Sequence, residues 1–325
     1  MTSAINYAPA MVFRPTYRAM MSGRRHISVR AASEAPPSPP PPKLSPPPDF
    51  KAPEPKRFGV RPDKSLDIFT ASFALFFRAG SGTFCDGYSS TFVSDDEIPP
   101  GQYALDVGGR KLKETSKLGP RPEKPIILYE FQSCPFCRKV REIVSILDLD
   151  VLFYPCPRNG PNFRPKVSEL GGKKQYPYMV DPNTGVAMYE SDDIIKYLVE
   201  KYGTGTIPTM LSLGLLTTLT AGLALIGRMG KGSSYTPSKL PPIPLELWAY
   251  EGSPFCVLVK EVLGELELPH LVHSVARGSP KRQDLYEKTG HFQAPYLEDP
   301  NTGVKMFESA EIIDYLRATY ALSQS

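Results

Sequence analysis

At 325 residues, 41% hydrophobic and 22% charged, the chain is long enough for two compact domains with tails, and its composition excludes both a wholly disordered polymer and a polytopic membrane protein. The formal net charge of +4 is concentrated at the N-terminus: residues 1–32 hold Arg14, Arg18, Arg24, Arg25 and Arg30 and no Lys, Asp or Glu, so the remainder is nearly neutral. A nearly neutral body offers no broad electrostatic footprint for DNA or RNA, and no nucleic-acid partner is expected.

Residues 1–32 combine their arginines with Ser and Ala and lack the apolar run of a secretory signal, the composition of an organelle transit peptide. Val29-Arg30-Ala31-Ala32 resembles a chloroplast processing site, so the expected location is the plastid. Residues 33–56 read as a disordered linker, because eleven of the 36 prolines fall between Pro36 and Pro55 and such a run samples extended polyproline conformations without building a core. Residues 57–124 form an N-terminal extension whose uncharged stretch 68–77 predicts one short apolar helix. The rest of it, 82–124, carries no readable pattern. Cys85, and Cys156 further on, are expected to be small buried hydrophobes.

From 125 onward the chain repeats itself. Phe131-Gln132-Ser133-Cys134-Pro135-Phe136-Cys137 aligns with Tyr250-Glu251-Gly252-Ser253-Pro254-Phe255-Cys256, and Asp181-Pro182-Asn183-Thr184-Gly185-Val186 recurs as Asp299-Pro300-Asn301-Thr302-Gly303-Val304. Two copies of one module, 125–203 and 244–321, follow from this self-similarity. In each, a short apolar run (126–130; 245–249) predicts a buried strand, and apolar residues at helical spacing (137–147; 256–266) predict the helix after it. A second strand (151–154; 271–274), a helix (165–170; 281–288), a hairpin about the Asp-Pro-Asn-Thr-Gly turn and a closing helix ending near Tyr202 or Tyr320 complete a βαβαββα order. Ser191 and Ser309 are placed to cap the closing helices.

Between the modules, 204–243 contains the uncharged stretch 207–227, long enough to span a bilayer but diluted by Pro208, Gly214, Gly222 and four Thr. Burial between modules is the simpler expectation. Arg78-Ala79-Gly80-Ser81-Gly82 after the first apolar stretch is echoed by Arg228-Met229-Gly230-Lys231-Gly232 after the second. The duplication therefore extends to an apolar helix before each module, and these helices are expected to pair with each other or dock on the modules, with peripheral thylakoid contact as a further expectation.

A Cys-x-x-Cys at a helix start suits thiol chemistry. The first sulfur meets unpaired backbone N–H groups and the positive end of the helix dipole, which favour a thiolate, while the second, deeper sulfur can attack a mixed disulfide formed on the first. Cys134 is thus the expected nucleophile and Cys137 the resolving thiol. A zinc site would need further ligands, which Cys85, Cys156 and the four histidines do not supply at metal spacing, so no metal is expected.

The βαβαββα order with Cys134-Pro135-Phe136-Cys137 at its first strand-to-helix junction resembles the thioredoxin fold of glutaredoxins and of glutathione transferase N-terminal domains. The similarity covers about half the chain. It is strongest to plant chloroplast proteins with two such domains in tandem. The resemblance implies an α/β fold of two thioredoxin-like modules, each a four-stranded mixed sheet with flanking helices. It implies a cis-proline after Tyr176 and Ala294 (Pro177, Pro295), whose neighbouring backbone pairs with glutathione as an added strand, and a γ-glutamyl site at Glu190-Ser191 and Glu308-Ser309, where helix N–H groups also receive the carboxylate. Capping alone is the other reading of those Ser residues. Ser253 stands where the nucleophile would be and resembles the Ser of tau-class transferases, so the second copy either binds glutathione through a hydroxyl or is a degenerate scaffold. Two departures stand out. Phe131 replaces the Lys that many glutaredoxins carry three residues before the first Cys, and no helical transferase domain is read after the second module, which disfavours conjugation. The leading expectation is a chloroplast stromal, thylakoid-associated thiol-disulfide oxidoreductase using glutathione as cosubstrate and acting on disulfide-containing plastid client proteins. The alternative is a non-catalytic glutathione-binding or assembly protein.

Overall fold

The computed structural model describes residues 44–56 and 59–322; the expected transit peptide and the first part of the proline tract lie outside them. The first elements are α1 (Ser65–Ala71) and α2 (Phe73–Phe77), two helices where the sequence predicts one. They part at Ser72, whose hydroxyl turns back onto the Ile68 carbonyl at 2.8 Å, a side-chain bond that bends a helix. Strands β1 (Ser89–Val93), β2 (Leu105–Val107) and β3 (Arg110–Thr115) then form a small antiparallel sheet in the order β1-β3-β2, so the unread stretch has a fold of its own.

Module 1 comprises β4 (Ile126–Glu130), α3 (Pro135–Ile146), β5 (Val151–Pro155), α4 (Phe163–Gly171), β6 (Tyr178–Asp181), β7 (Val186–Met188) and α5 (Ser191–Tyr202). After α6 (Leu215–Ile226), module 2 repeats the order as β8 (Leu245–Ala249), α7 (Pro254–Glu265), β9 (His270–Ser274), α8 (Lys281–Thr289), β10 (Tyr296–Asp299), β11 (Val304–Met306) and α9 (Ser309–Tyr320). Pro135 and Pro254 open α3 and α7 at the first helical position, where their missing N–H costs nothing. The repeated turn does more than reverse the chain. Asp181 accepts the hydroxyls of Tyr197 and Tyr202, each at 2.6 Å, and Asp299 accepts those of Tyr315 and Tyr320 at the same distance, so each hairpin clasps its closing helix.

The eight strands of the modules make one sheet, β11-β10-β8-β9-β5-β4-β6-β7, in which the four-stranded mixed sheet expected of each module is joined edge to edge with the other. Without each other β5 and β9 would be edges with a row of unpaired N–H and C=O groups. They pair antiparallel, Val151 with Val272, Leu152 with Leu271 and Phe153 with His270, so Leu152 faces its own copy and the modules are related by an approximate two-fold axis. His270 is buried at this seam, stacked on Phe153 at 5.4 Å.

The Arg-Gly echo marks a crossing. Arg78 is fully buried and bonds Glu142 on α3 through Nε at 3.0 Å and Nη2 at 2.7 Å, while its Nη1 reaches the Thr217 carbonyl and Thr220 hydroxyl of α6. Arg228 does the same in mirror, with Glu261 on α7 at 2.7 Å from both Nε and Nη2, and the Asp67 carbonyl and Thr70 hydroxyl of α1. Helix α2 packs on α6, α1 on α7 and α6 on α3, so the apolar helices both pair and dock. The glycines that follow allow close passage: Gly82 and Gly232 have φ of +80° and +77°, and a Cβ on Gly232 would lie 2.7 Å from Gln132 Cβ. Beyond them the lead-ins separate. Thr83 and Cys85 bond the backbone of Arg277 in module 2, whereas Ser233 and Tyr235 bond that of Arg158 in module 1. No helix among the described residues is long and apolar enough to cross a membrane.

Two stability predictions follow from these contacts. Arg228→Ala strips Glu261 of the guanidinium bonded to it and lowers the unfolding free energy in urea by about 3–5 kcal/mol; Arg78→Ala has a smaller effect, because Arg138 Nε still reaches Glu142 at 3.0 Å. Burial pushes the His270 imidazole down to about 4 from its ordinary 6.5. Protonation therefore favours the unfolded chain: the neutral ring's contribution is complete above pH 6.5 and is lost as the pH falls to about 4. That loss is about 3 kcal/mol, and His270→Phe flattens this part of a stability–pH profile.

Candidate functional site

In module 1 the chain leaves β4 through Phe131 and turns so that Cys134 becomes the N-cap of α3, with extended backbone and its Sγ accepting the Cys137 N–H at 3.2 Å. The Cys137 side chain and N–H both bond the Cys134 sulfur and hold its thiol below the ordinary range, against the opposing effect of burial. Burial, followed by the neighbouring Cys134, pushes Cys137 well up. This is the split expected of an attacking and a resolving sulfur. Both lie under the surface, however: Cys134 is 4% exposed and Cys137 1%. One neighbour on the approach comes from the other lead-in, since Ser233 hydrogen-bonds Ser133, the residue before Cys134. One turn beyond Cys137, the buried Arg141 bonds Glu130, the Gln132 carbonyl at 2.9 Å and Glu251 of module 2 at 3.0 Å.

Module 2 repeats the turn with a hydroxyl. Ser253 caps α7, its Oγ accepting the Cys256 N–H at 3.3 Å. Both predicted X-Pro bonds, Tyr176-Pro177 and Ala294-Pro295, are cis. Glu190 and Glu308 have φ of +63° and +73° and occupy the N-cap positions of α5 and α9; Ser191 and Ser309 are the first helical residues and their hydroxyls do not cap, a correction to the capping expectation. In each module a Gln holds the carboxylate of this Glu. Gln175 Nε2 donates to Glu190 at 2.5 Å, and Gln293 Nε2 to Glu308 at 2.7 Å. Sequence reasoning misses these glutamines, although each stands two residues before its cis-proline. It also misses Arg164 and Arg282, the second residues of α4 and α8. Their Nε groups donate to paired carbonyls, Cys156 and Pro157 at 3.1 and 2.6 Å, and Val275 and Ala276 at 3.1 and 3.0 Å.

Ser253, Ala294, Pro295, Glu308 and Ser309 all line one cavity of about 590 Å³. Its far wall comes from the lead-in: Ile98, Tyr103 and Leu105 face the module, with Tyr103 against Tyr286 and Phe292 at ring distances of 6.0 and 4.7 Å. Glu114 of β3 fixes that wall by accepting Arg277 Nε at 2.8 Å. Part of the expected linker closes one end. Phe50 packs on Tyr315 at 5.0 Å, Arg61 bonds Asp314 at 2.6 Å, and between them the Lys56 N–H donates to Glu308 Oε1 at 2.5 Å.

All five cysteines are free thiols; burial pushes Cys85 and Cys156 far up. Among the described residues no cluster of His, Cys, Asp or Glu could hold a metal ion.

Fold and site together define a tandem pair of thioredoxin-like domains, one with a dithiol and one with a hydroxyl at the start of its first helix. Residues 128–206 and 247–324 each match the family described as glutathione S-transferase, N-terminal domain, and the two modules are domains of this type. A curated relative, the glutathione S-transferase-like protein tpcF of Aspergillus fumigatus, is 34% identical over 70 residues, 22% of this chain and 31% of that protein. The chain thus spans about a third of that relative's length. Two structures of the Bombyx mori glutathione transferase BmGSTD1, one of them a complex with GTT, share 31% identity over 26% of this chain and 39% of theirs, with TM-scores of 0.23 and 0.24.

The hydrogen bonds to Cys134 predict its titration. In a pH series of iodoacetamide alkylation followed by peptide mass analysis, the half-maximal rate at Cys134 falls below the ordinary thiol value near 8.5, whereas Cys85, Cys137 and Cys156 stay unmodified in the folded protein across the same range.

Proposed function

We propose that the chain is a glutathione-linked thiol-disulfide oxidoreductase whose chemistry resides in module 1. The observation that carries this reading is the Cys134 sulfur seated as N-cap of α3 on the Cys137 N–H. The Cys134 thiolate attacks a client disulfide, forms a mixed disulfide and releases one client thiolate. Cys137 then loses its proton and attacks the Cys134 sulfur, which frees the second client thiolate and leaves a Cys134–Cys137 disulfide. Two glutathione molecules restore the dithiol and leave as glutathione disulfide. The basic N-terminus supports a plastid location, and the exposed Phe76 (87%) and Leu215 (76%) on the paired lead-in helices, with Met229 (91%) in the turn after α6, support peripheral contact with thylakoid lipid.

A specific observation favours a second role, glutathione binding by module 2: five residues named for it from sequence meet at one cavity, of a size suited to a small ligand. The two roles separate by experiment. Glutathione-dependent reduction of a small mixed disulfide disappears in Cys134→Ser and survives in part in Cys137→Ser; no turnover by the unaltered protein rejects the oxidoreductase and leaves a binding or assembly protein. Calorimetric glutathione binding to Cys134→Ser persists if module 2 holds the tripeptide. It weakens about tenfold with Ser253→Ala, the loss of one hydrogen bond to a thiolate, and strengthens with Lys56→Pro, which removes the N–H now taking Glu308.

A further inference from the structure

The two modules turn the same face to different neighbours. It runs from the end of the second strand toward the cis-proline, over 156–176 in module 1 and 275–294 in module 2. In module 2 the chain covers it from within. Strands β1 to β3, which stand in the first lead-in ahead of β4, lie against it: Glu114 accepts Arg277 Nε at 2.8 Å, the Ser116 hydroxyl donates to the Gly278 carbonyl at 2.7 Å, and the Tyr103 N–H donates to Gln283 at 2.7 Å. The lysines of that face are engaged as well, Lys281 by Asp150 at 2.7 Å and Lys288 by Glu298.

The second lead-in brings no such sheet to module 1, since it runs from Tyr235 through 236–244 directly into β8. Arg158, the counterpart of Arg277, is exposed. Three further positions have become cationic: Lys166, Lys173 and Lys174 stand where module 2 has Asp284, His291 and Phe292, and all three are exposed. Among the described residues no carboxylate pairs with Arg158, Lys173 or Lys174, and Lys166 meets only Glu169, at 4.0 Å. Cations gathered on one face with a single acid among them attract an acidic partner. The face also borders the sulfur on two sides. The Arg158 N–H donates to the Ser233 carbonyl at 2.5 Å, and the Ser233 hydroxyl bonds Ser133, the residue before Cys134. Lys173 Nζ lies 5.8 Å from the Tyr189 ring centroid and its carbonyl accepts the Tyr189 hydroxyl at 2.9 Å, and Tyr189 leads into Glu190.

We propose, resting on the reading of module 1 as a thiol exchanger, that this cationic face docks an acidic, extended segment of the client protein whose disulfide Cys134 attacks. Module 2 supplies the form of the occupant: a strand that crosses the face with a carboxylate toward the arginine, as Glu114 of β3 does. The lysines of module 1 widen the demand from one carboxylate to several. Because these charges are exposed, they govern the rate of encounter and the choice of client more than the lifetime of the complex, and salt weakens them. The cations touch the client's chain, and the sulfur exchange remains that of Cys134, whose thiolate attacks one sulfur of the client disulfide, breaks the S–S bond and frees the other sulfur as a thiolate.

Fluorescence anisotropy at low ionic strength tests the docking, with full-length protein and a fluorescein-labelled peptide of alternating Glu and Thr. The combined variant Arg158→Gln, Lys173→Gln, Lys174→Gln weakens binding about tenfold, the scale of three exposed ion pairs. Removing as many exposed charges elsewhere, by Lys113→Gln, Lys196→Gln and Lys201→Gln, changes it by less than about twofold. Equal loss in the two variants, or no binding by the unaltered protein, overturns the docking face. Tighter binding of oligouridylate or of phosphatidylglycerol vesicles, lost in the same variant, overturns a protein segment as its occupant. A second arm follows mixed-disulfide formation at Cys134 by intact-protein mass spectrometry in Cys137→Ser protein, using a cystine-bearing form of the peptide and its Gln-Thr counterpart. The acidic form reacts about tenfold faster, and the combined variant removes the difference. Equal rates overturn the role of the face in choosing clients. A Cys134 that reacts with neither peptide overturns the exchange reading, whereas the anisotropy result decides the docking face by itself.

Discussion

The structure depends on charges taken out of water where the two halves meet. Arg78, Arg138, Arg141, Glu142 and Glu251 are each at most 1% exposed, and each guanidinium is bonded to a carboxylate from another element or another turn. Isolated, any one of these ions would be prohibitive to bury. Together they require the lead-in helices, α3 and the start of module 2 to come together in a single arrangement, because any sliding of one partner strands a charge. Apolar burial supplies the cohesion of this protein, and the ionic seam supplies its register.

That seam also links the two sites. Arg141 bonds Glu130 at the base of the Cys134 turn and Glu251 two residues before Ser253, and Lys260 joins Glu251 at 3.0 Å. In this electrostatic environment burial, ahead of the attraction of Arg141, keeps Glu130 above its usual range, whereas Arg141 and Lys260 overcome burial at Glu251 and bring it to about 2. The thiol turn and the hydroxyl turn are therefore built on opposite ends of one ionic group, and they differ in their surroundings as well as in their sulfur.

Much of this was legible because the sequence is written twice. A pattern of a few apolar residues is ambiguous alone, but the same string in two places must make the same local structure, and this made both closing helices readable; the cis-prolines were readable from the family resemblance. What could not be read is whatever the copies do to each other. Nothing in the pattern of 151–155 or 270–274 says that these strands pair, since a buried strand reads alike whether its neighbour is its own module or the next. The Arg-Gly echo is visible as an echo, but its purpose lies in carboxylates 64 and 33 residues away. Arg164 and Arg282 escape notice because an Arg on an amphipathic helix reads as solvated surface, and Gln175 and Gln293 because their partners carry a backbone angle that sequence does not announce. The Ser caps fail for the same reason, since a left-handed Glu takes the position.

The crossing of the lead-ins has a consequence for how such a chain can be inherited. Each half lends its own leading arm to the partner's site: 83–85 lie along module 2 and 233–235 along module 1. This is the arrangement of a symmetric pair of subunits with exchanged arms, here joined into one polypeptide. Neither half is a self-sufficient cassette, because excising one removes a wall from the other's pocket. Duplication has given the descendant freedom to let one copy trade its sulfur for oxygen, but not the freedom to discard that copy.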